Sequence, residues 1–214
     1  MFGLSVCHDG NSVLFSMPNK QSKAINVWRL DLQSGTAGAL TKGAADQNAV
    51  CAPDSKSFLY TTLVKGKSLL MTMPMSGGQP KQLGDKVVEF ATYSPDGQQV
   101  AALAVSGSGV NFRSMIEILP VQGGLPVKTF TPIRSLSSTF QYSGDGNSLY
   151  YAVTAKGVSN MVSQPIGIET VMPMTSFTDL QIYGYDYDWK NKRVAISRGR
   201  LNSDVVLLTQ QQGQ

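Results

Sequence analysis

Charged side chains are scarce in this chain of 214 residues. Asp, Glu, Lys and Arg make up 15% of it, below the roughly 25% of an average soluble domain, whereas hydrophobic residues reach 42%. That balance excludes a disordered chain and supplies a sizeable core. The net charge of +4 is mildly basic and no more. Histidine occurs once, at His8. No stretch approaches the roughly 18 consecutive apolar residues of a spanning helix. The N-terminal MFGLSVCHDG has neither the basic start nor the apolar run of a signal peptide. The expectation is a chain with no membrane segment, cytoplasmic as written and periplasmic if it follows a spanning segment in a longer parent. Helix-period apolar stripes are missing as well, which leaves strands as the building material.

What the chain does have is a repeat. YSPDGQQVA around Asp96 is echoed by CHDGNSVLF around Asp9, CAPDSKSFLY around Asp54, YSGDGNSLYY around Asp145 and a decayed DWKNKRVAI around Lys190 and Asn191. The steps between these centres are 45, 42, 49 and 45 residues, the period of a propeller blade. Each centre is followed by a short apolar strand, namely Val13 to Met17, Phe58 to Thr62, Val100 to Val105, Leu149 to Val153 and Val194 to Ser197. A third strand follows a polar loop: Ile25 to Leu30, Leu69 to Met73, Ser114 to Leu119, Asn160 to Gln164 and Asp204 to Leu208. A Gly-bearing turn and a short closing strand end every copy but the last. Asp followed by Gly supplies a side-chain acceptor and a residue that tolerates positive φ, so Asp9, Gly10, Asp54, Asp96, Gly97, Asp145 and Gly146 are expected to be structural turn residues between antiparallel strands.

The expected fold is an all-β propeller, one domain over 1–214, of about five four-stranded antiparallel blades at approximately 1–43, 44–85, 86–132, 133–177 and 178–214. The last lacks its outer strand. Either that strand is dispensable, or the chain is part of a larger ring; an incomplete ring exposes apolar blade faces and sheet edges.

The Ser94, Pro95, Asp96, Gly97 core resembles the WD40-like repeats of TolB-type β-propellers over essentially the whole chain. Asp54 keeps Pro-Asp with Ser55 for Gly, Asp145 keeps Asp-Gly with Gly144 for Pro, and Asp9 has His8 for Pro. NVWRLD from Asn26, GVSNMVSQPI from Gly157 and SRGRLNSDVVLL from Ser197 resemble C-terminal propellers of bacterial, acidobacterial-type multidomain proteins. The resemblance implies an upstream serine/threonine kinase or winged-helix DNA-binding domain in a longer parent.

No reaction centre is legible. The kinase His-Arg-Asp and Asp-Phe-Gly motifs, the phosphate loop and the GxSxG elbow are missing, and His8 has no identifiable catalytic or zinc-binding partner. Gly107, Ser108 and Gly109 read as an inter-strand loop. Asp186 and Asp188, interleaved with Tyr185, Tyr187 and Trp189, read as an inner strand with one face to the channel rather than as an ion site. Lys190, Lys192, Arg193, Arg198 and Arg200 read as a solvated face, so no direct nucleic-acid binding is expected. Met71, Met73, Met75, Met172 and Met174 read as core or inter-blade filler. Cys7 and Cys51 read as two buried thiols, a disulfide being disfavoured because neighbouring blades diverge from the axis. The chain is therefore expected to be no enzyme, with no cofactor and no metal. It reads as a binding or sensor module for a protein, peptide or small ligand whose contact residues the sequence does not identify. The alternative is an accessory, substrate-gating propeller of an enzyme such as a prolyl-oligopeptidase-like hydrolase.

Overall fold

Short runs of β-branched and aromatic residues punctuated by Asp-Gly turns specify strands joined by hairpins. The computed structural model describes residues 2–132, 136–188 and 193–200. Among them the chain is all-β, with one 3-10 turn at Gly109–Asn111. The first sheet comprises β1 (Phe2–Val6), β2 (Ser12–Pro18), β3 (Ile25–Asp31) and β4 (Ala37–Ala39). The second holds β5 (Asp46–Cys51), β6 (Ser57–Val64), β7 (Lys67–Pro74) and β8 (Lys81–Gln82). The third holds β9 (Val87–Tyr93), β10 (Gln99–Ser106), β11 (Arg113–Pro120) and β12 (Lys128–Phe130). The fourth holds β13 (Leu136–Tyr142), β14 (Ser148–Ala155), β15 (Val158–Pro165) and β16 (Met172–Pro173). In each, every strand pairs antiparallel with the next in sequence, which is the meander of a propeller blade.

Four blades are thus formed, and among the described residues the expected fifth is present only as a hairpin. The last repeat is a two-stranded sheet of β17 (Gln181–Asp188) and β18 (Arg193–Gly199). The third strand expected at 204–208, and the decayed turn at Lys190 and Asn191, lie outside the described residues.

Hydrophobic burial sits between blades. Leu14, Val27, Cys51, Phe58 and Tyr60 fill the first interface; Leu59, Leu70, Val88, Tyr93 and Val100 the second; Leu103, Ile116, Phe140, Leu149 and Tyr151 the third. Each blade alone would leave both faces wet, so stability resides in these contacts between neighbours. The first blade packs principally against the second through β1, β2 and β3 on β5. On β1, Leu4 and Val6 remain 63% and 58% exposed.

Candidate functional site

The turn residues are placed at one end of each blade's first hairpin, where they close the same backbone loop. The amide of Gly10, Ser55, Gly97 and Gly146 bonds the carbonyl three residues earlier, at Cys7, Ala52, Ser94 and Ser143 respectively. All four occupy the left-handed region, with φ of 67°, 56°, 69° and 72°. Ser55 therefore stands where glycine is favoured. Its hydroxyl accepts the Asp9 amide of the neighbouring blade at 3.0 Å, a contact that glycine could not make.

The aspartates fix these turns. Asp96 accepts the Ser94 hydroxyl at 2.5 Å and the Gln98 amide at 3.0 Å, and Asp145 accepts the Ser143 hydroxyl at 2.6 Å and the Asn147 amide at 3.0 Å. In both, the serine bond first and the backbone amide second hold the carboxyl below its usual range. Asp9 accepts the amides of Asn11 and Ser12, which lower its pKa in the same way. Asp54 accepts the Lys56 amide at 2.9 Å. In each turn the aspartate accepts from the backbone of its own turn.

A cleft with the character of a binding site opens between the fourth blade and the β17–β18 hairpin. Its walls are Tyr150, Met161 and Met174 on one side and Tyr185, Tyr187 and Val194 on the other, with Gln141 and Thr175 completing it. Sequence alternation produces this arrangement: Tyr185 and Tyr187 are two apart on β17 and so share a face. The Tyr185 hydroxyl lies against the carbonyls of Thr139 and Tyr150, and the rings of Tyr150 and Tyr187 meet edge-on at 5.7 Å between centroids. Burial, then the neighbouring Tyr187, raises the Tyr150 pKa. The Gln141 amide nitrogen donates to Asp186 at 3.0 Å, which orients its carbonyl away from that carboxylate. Gln141 Oε1 is buried with no donor. About 50 Å³ is open to a water-sized sphere, roughly four waters' worth at 10–15 Å³ each. The cleft therefore suits one compact, largely apolar group.

The remaining candidates are dispersed. His8 is exposed on its turn. Gly107 is held so close to the Asn111 carbonyl, 2.2 Å from where a Cβ would stand, that this loop folds on itself. Asp186 is engaged with Gln141 and the Tyr187 amide, while the side chain of Asp188 and all of Trp189 lie outside the described residues. Arg198 stacks 3.6 Å above the Phe177 ring and pairs with Asp179 at 3.0 Å. Arg193 and Arg200 are exposed, and Lys190 and Lys192 are not among the described residues. Met73 and Met75 are buried in the first interface with Met71 beside them, whereas Met172 and Met174 are exposed and Met174 borders the cleft. Among the described residues no group of three or more His, Cys, Asp or Glu could hold a metal ion, and no helix is long and apolar enough to cross a membrane.

One expectation is corrected. Cys7 and Cys51 form a disulfide with Cα atoms 5.3 Å apart, inside the range that a bridge requires. Blades diverge outward, but both cysteines lie at the ends of first strands, where β1 packs on β5.

No protein-family model matches the chain, and no curated protein matches it in sequence. Solved structures share its fold. TolB from Acinetobacter baumannii is 23% identical with a TM-score of 0.62, covering 79% of this chain and 44% of that one. A protein assigned as TolB from Agrobacterium tumefaciens is 17% identical with a TM-score of 0.65, covering 81% and 64%. The β-propeller domain of the Trilobed protease from Pyrococcus furiosus, described as having an open velcro topology, is 13% identical with a TM-score of 0.60, covering 92% and 63%. The chain thus has the TolB-type propeller fold and spans less than two thirds of each of these relatives. The kinase and winged-helix association implied by the resemblance finds no support among them.

Proposed function

We propose that the chain is a non-catalytic recognition module, the propeller portion of a larger bacterial protein, that binds a protein, peptide or small ligand. The observation carrying this reading is the cleft between the fourth blade and the β17–β18 hairpin. Its aromatic and methionine walls and the donor-less Gln141 carbonyl match the general make-up of ligand sites, mostly apolar with few polar groups. Methionine and tyrosine at such a surface adapt to a partner at low cost in ordering. A propeller alone names no ligand, because the fold hosts many functions.

The test is titration of the protein, labelled at its methionine methyls, with short peptides that each carry one compact apolar side chain. Saturable shifts at Met161 and Met174, lost in Val194→Lys, are expected. Shifts that never saturate, or that survive Val194→Lys, count against the cleft as the site. The second reading, an accessory gating propeller of a hydrolase, is favoured by the likeness to the Trilobed protease propeller. A hydrolase domain encoded beside the propeller in the parent gene would select it.

A further inference from the structure

The repeat allows the three junctions between blades, and that of the fourth blade with the β17–β18 hairpin, to be compared position by position. The residue three before each turn centre lies at or next to the end of the first strand: Cys51 pairs with Phe58, Tyr93 with Val100, Tyr142 with Leu149 and Tyr187 with Val194. From the second junction onward this residue is a tyrosine, and Tyr93 and Tyr142 are buried in the interface with the preceding blade. At the first junction it is Cys51. The facing position of the preceding blade, two before its turn centre, is Ala52 at the second junction and Ser94 at the third; at the first it is Cys7. Both departures from the repeat thus occur at one junction, and they face each other. Cys7 and Cys51 are 2% and 5% exposed, at a sequence separation of 44.

We propose that the Cys7–Cys51 disulfide is a redox-dependent latch that holds the first blade onto the second in place of the inter-blade tyrosine. Two cysteine side chains fill less space than an alanine and a tyrosine, so without the covalent bond this junction has less to bury than its counterparts. On the first blade Leu4 and Val6 of β1 are exposed, and among the described residues its substantial packing is on the second blade. Forming the latch joins two thiols and passes two electrons and two protons to a disulfide oxidant. Opening it consumes two thiols of a dithiol reductant, which leaves as its own disulfide. The latch therefore closes in an oxidising compartment and stays open where thiols are kept reduced. Because the sulfurs are buried, exchange on the folded protein waits for the two blades to part.

The experiment compares the protein refolded with and without a dithiol reductant, the thiols being counted after denaturation. Reduction is expected to lower Tm by roughly 5 to 15 °C, a range set by the usual stabilisation from a disulfide closing a loop of this length. It is also expected to speed amide exchange in β1–β4 at least tenfold relative to β9–β15. The double variant Cys7→Ala, Cys51→Tyr rebuilds the Ala52 and Tyr93 pairing and is expected to restore slow exchange in β1–β4 whether or not reductant is present. Two free thiols in protein refolded with a disulfide oxidant in place of the reductant would overturn the proposal. So would β1–β4 exchange that is unchanged by reduction. The wild-type comparison decides the matter alone if the double variant does not fold.

Discussion

The interface between the third and fourth blades and that between the fourth blade and the β17–β18 hairpin are built from the same repeat, yet they differ in depth. The first joins two full sheets: Leu103, Ile116 and Ile118 face Phe140, Leu149 and Tyr151, all nearly inaccessible, and the rings of Phe90 and Phe140 lie 4.7 Å apart. The second buries Ala152, Met161 and Ile182, with Tyr150, Tyr185 and Ile196 only partly covered. Two described strands cover part of a neighbour's face, and what they leave open is the cleft. A packing shortfall and a candidate binding site are here one feature.

The largest expected effect tests that contrast. Phe140→Ala should cost about 3–5 kcal/mol in urea unfolding, the usual loss for a buried aromatic, and Ile182→Ala about 2 kcal/mol, the low end for a site whose surroundings can collapse. Equal losses at the two positions would erase the difference drawn between the interfaces. Next, Gly146→Ala should cost about 1–2 kcal/mol, because the methyl meets only Pro95 at 3.7 Å but φ is +72°.

Glu117 offers a third handle. It lies 4% exposed at the position that Met71 and Val162 fill in the flanking blades, and burial raises its pKa against the opposing pull of Lys86. A raised carboxyl pKa means that the penalty is absent where the group is protonated in both states. It grows as pH rises past the ordinary glutamate value of about 4.3 and is complete above the folded value. Glu117→Met should therefore stabilise the protein at pH 7 by about 1 kcal/mol, a gain that vanishes below about pH 4. The lowered carboxyls of Asp96 and Asp145 act in the opposite sense. Their contribution is present above the ordinary aspartate value of about 3.9 and lost as pH falls through their lowered values, so the acid limb of a Tm profile should be unchanged in Glu117→Met. A gain that persists in acid would show that packing, not charge, is responsible. The smallest effect belongs to Ser55→Gly, expected within about 0.5 kcal/mol of zero, because relief of the left-handed backbone is offset by loss of the bond to the Asp9 amide.

Much of the architecture was legible because turn chemistry is local. Asp96 with Gly97 and Asp145 with Gly146 announce their hairpins through residues adjacent in sequence, and Ser94 and Ser143 bond to those same aspartates. What escaped was non-local. The approach of Cys7 to Cys51 depends on how closely two first strands converge, which spacing does not encode, although the tyrosines at 93, 142 and 187 were a usable sign that position 51 faces its neighbour. The cleft escaped for a similar reason. Tyr150, Met161 and Tyr185 each read as ordinary strand residues, and only the incomplete cover from β17 and β18 turns them into a surface.

The meander has a consequence for synthesis. Among the described residues every ladder joins strands consecutive in the chain, and each blade leans on the one made just before it, so these contacts can form in the order in which residues leave the ribosome. Such a chain can fold as it is translated, one blade templating the next, with little waiting for distant partners. The cysteine bridge fits that sequence of events: it becomes possible as soon as the second blade's first strand has emerged, and it can join these two blades before the third is made.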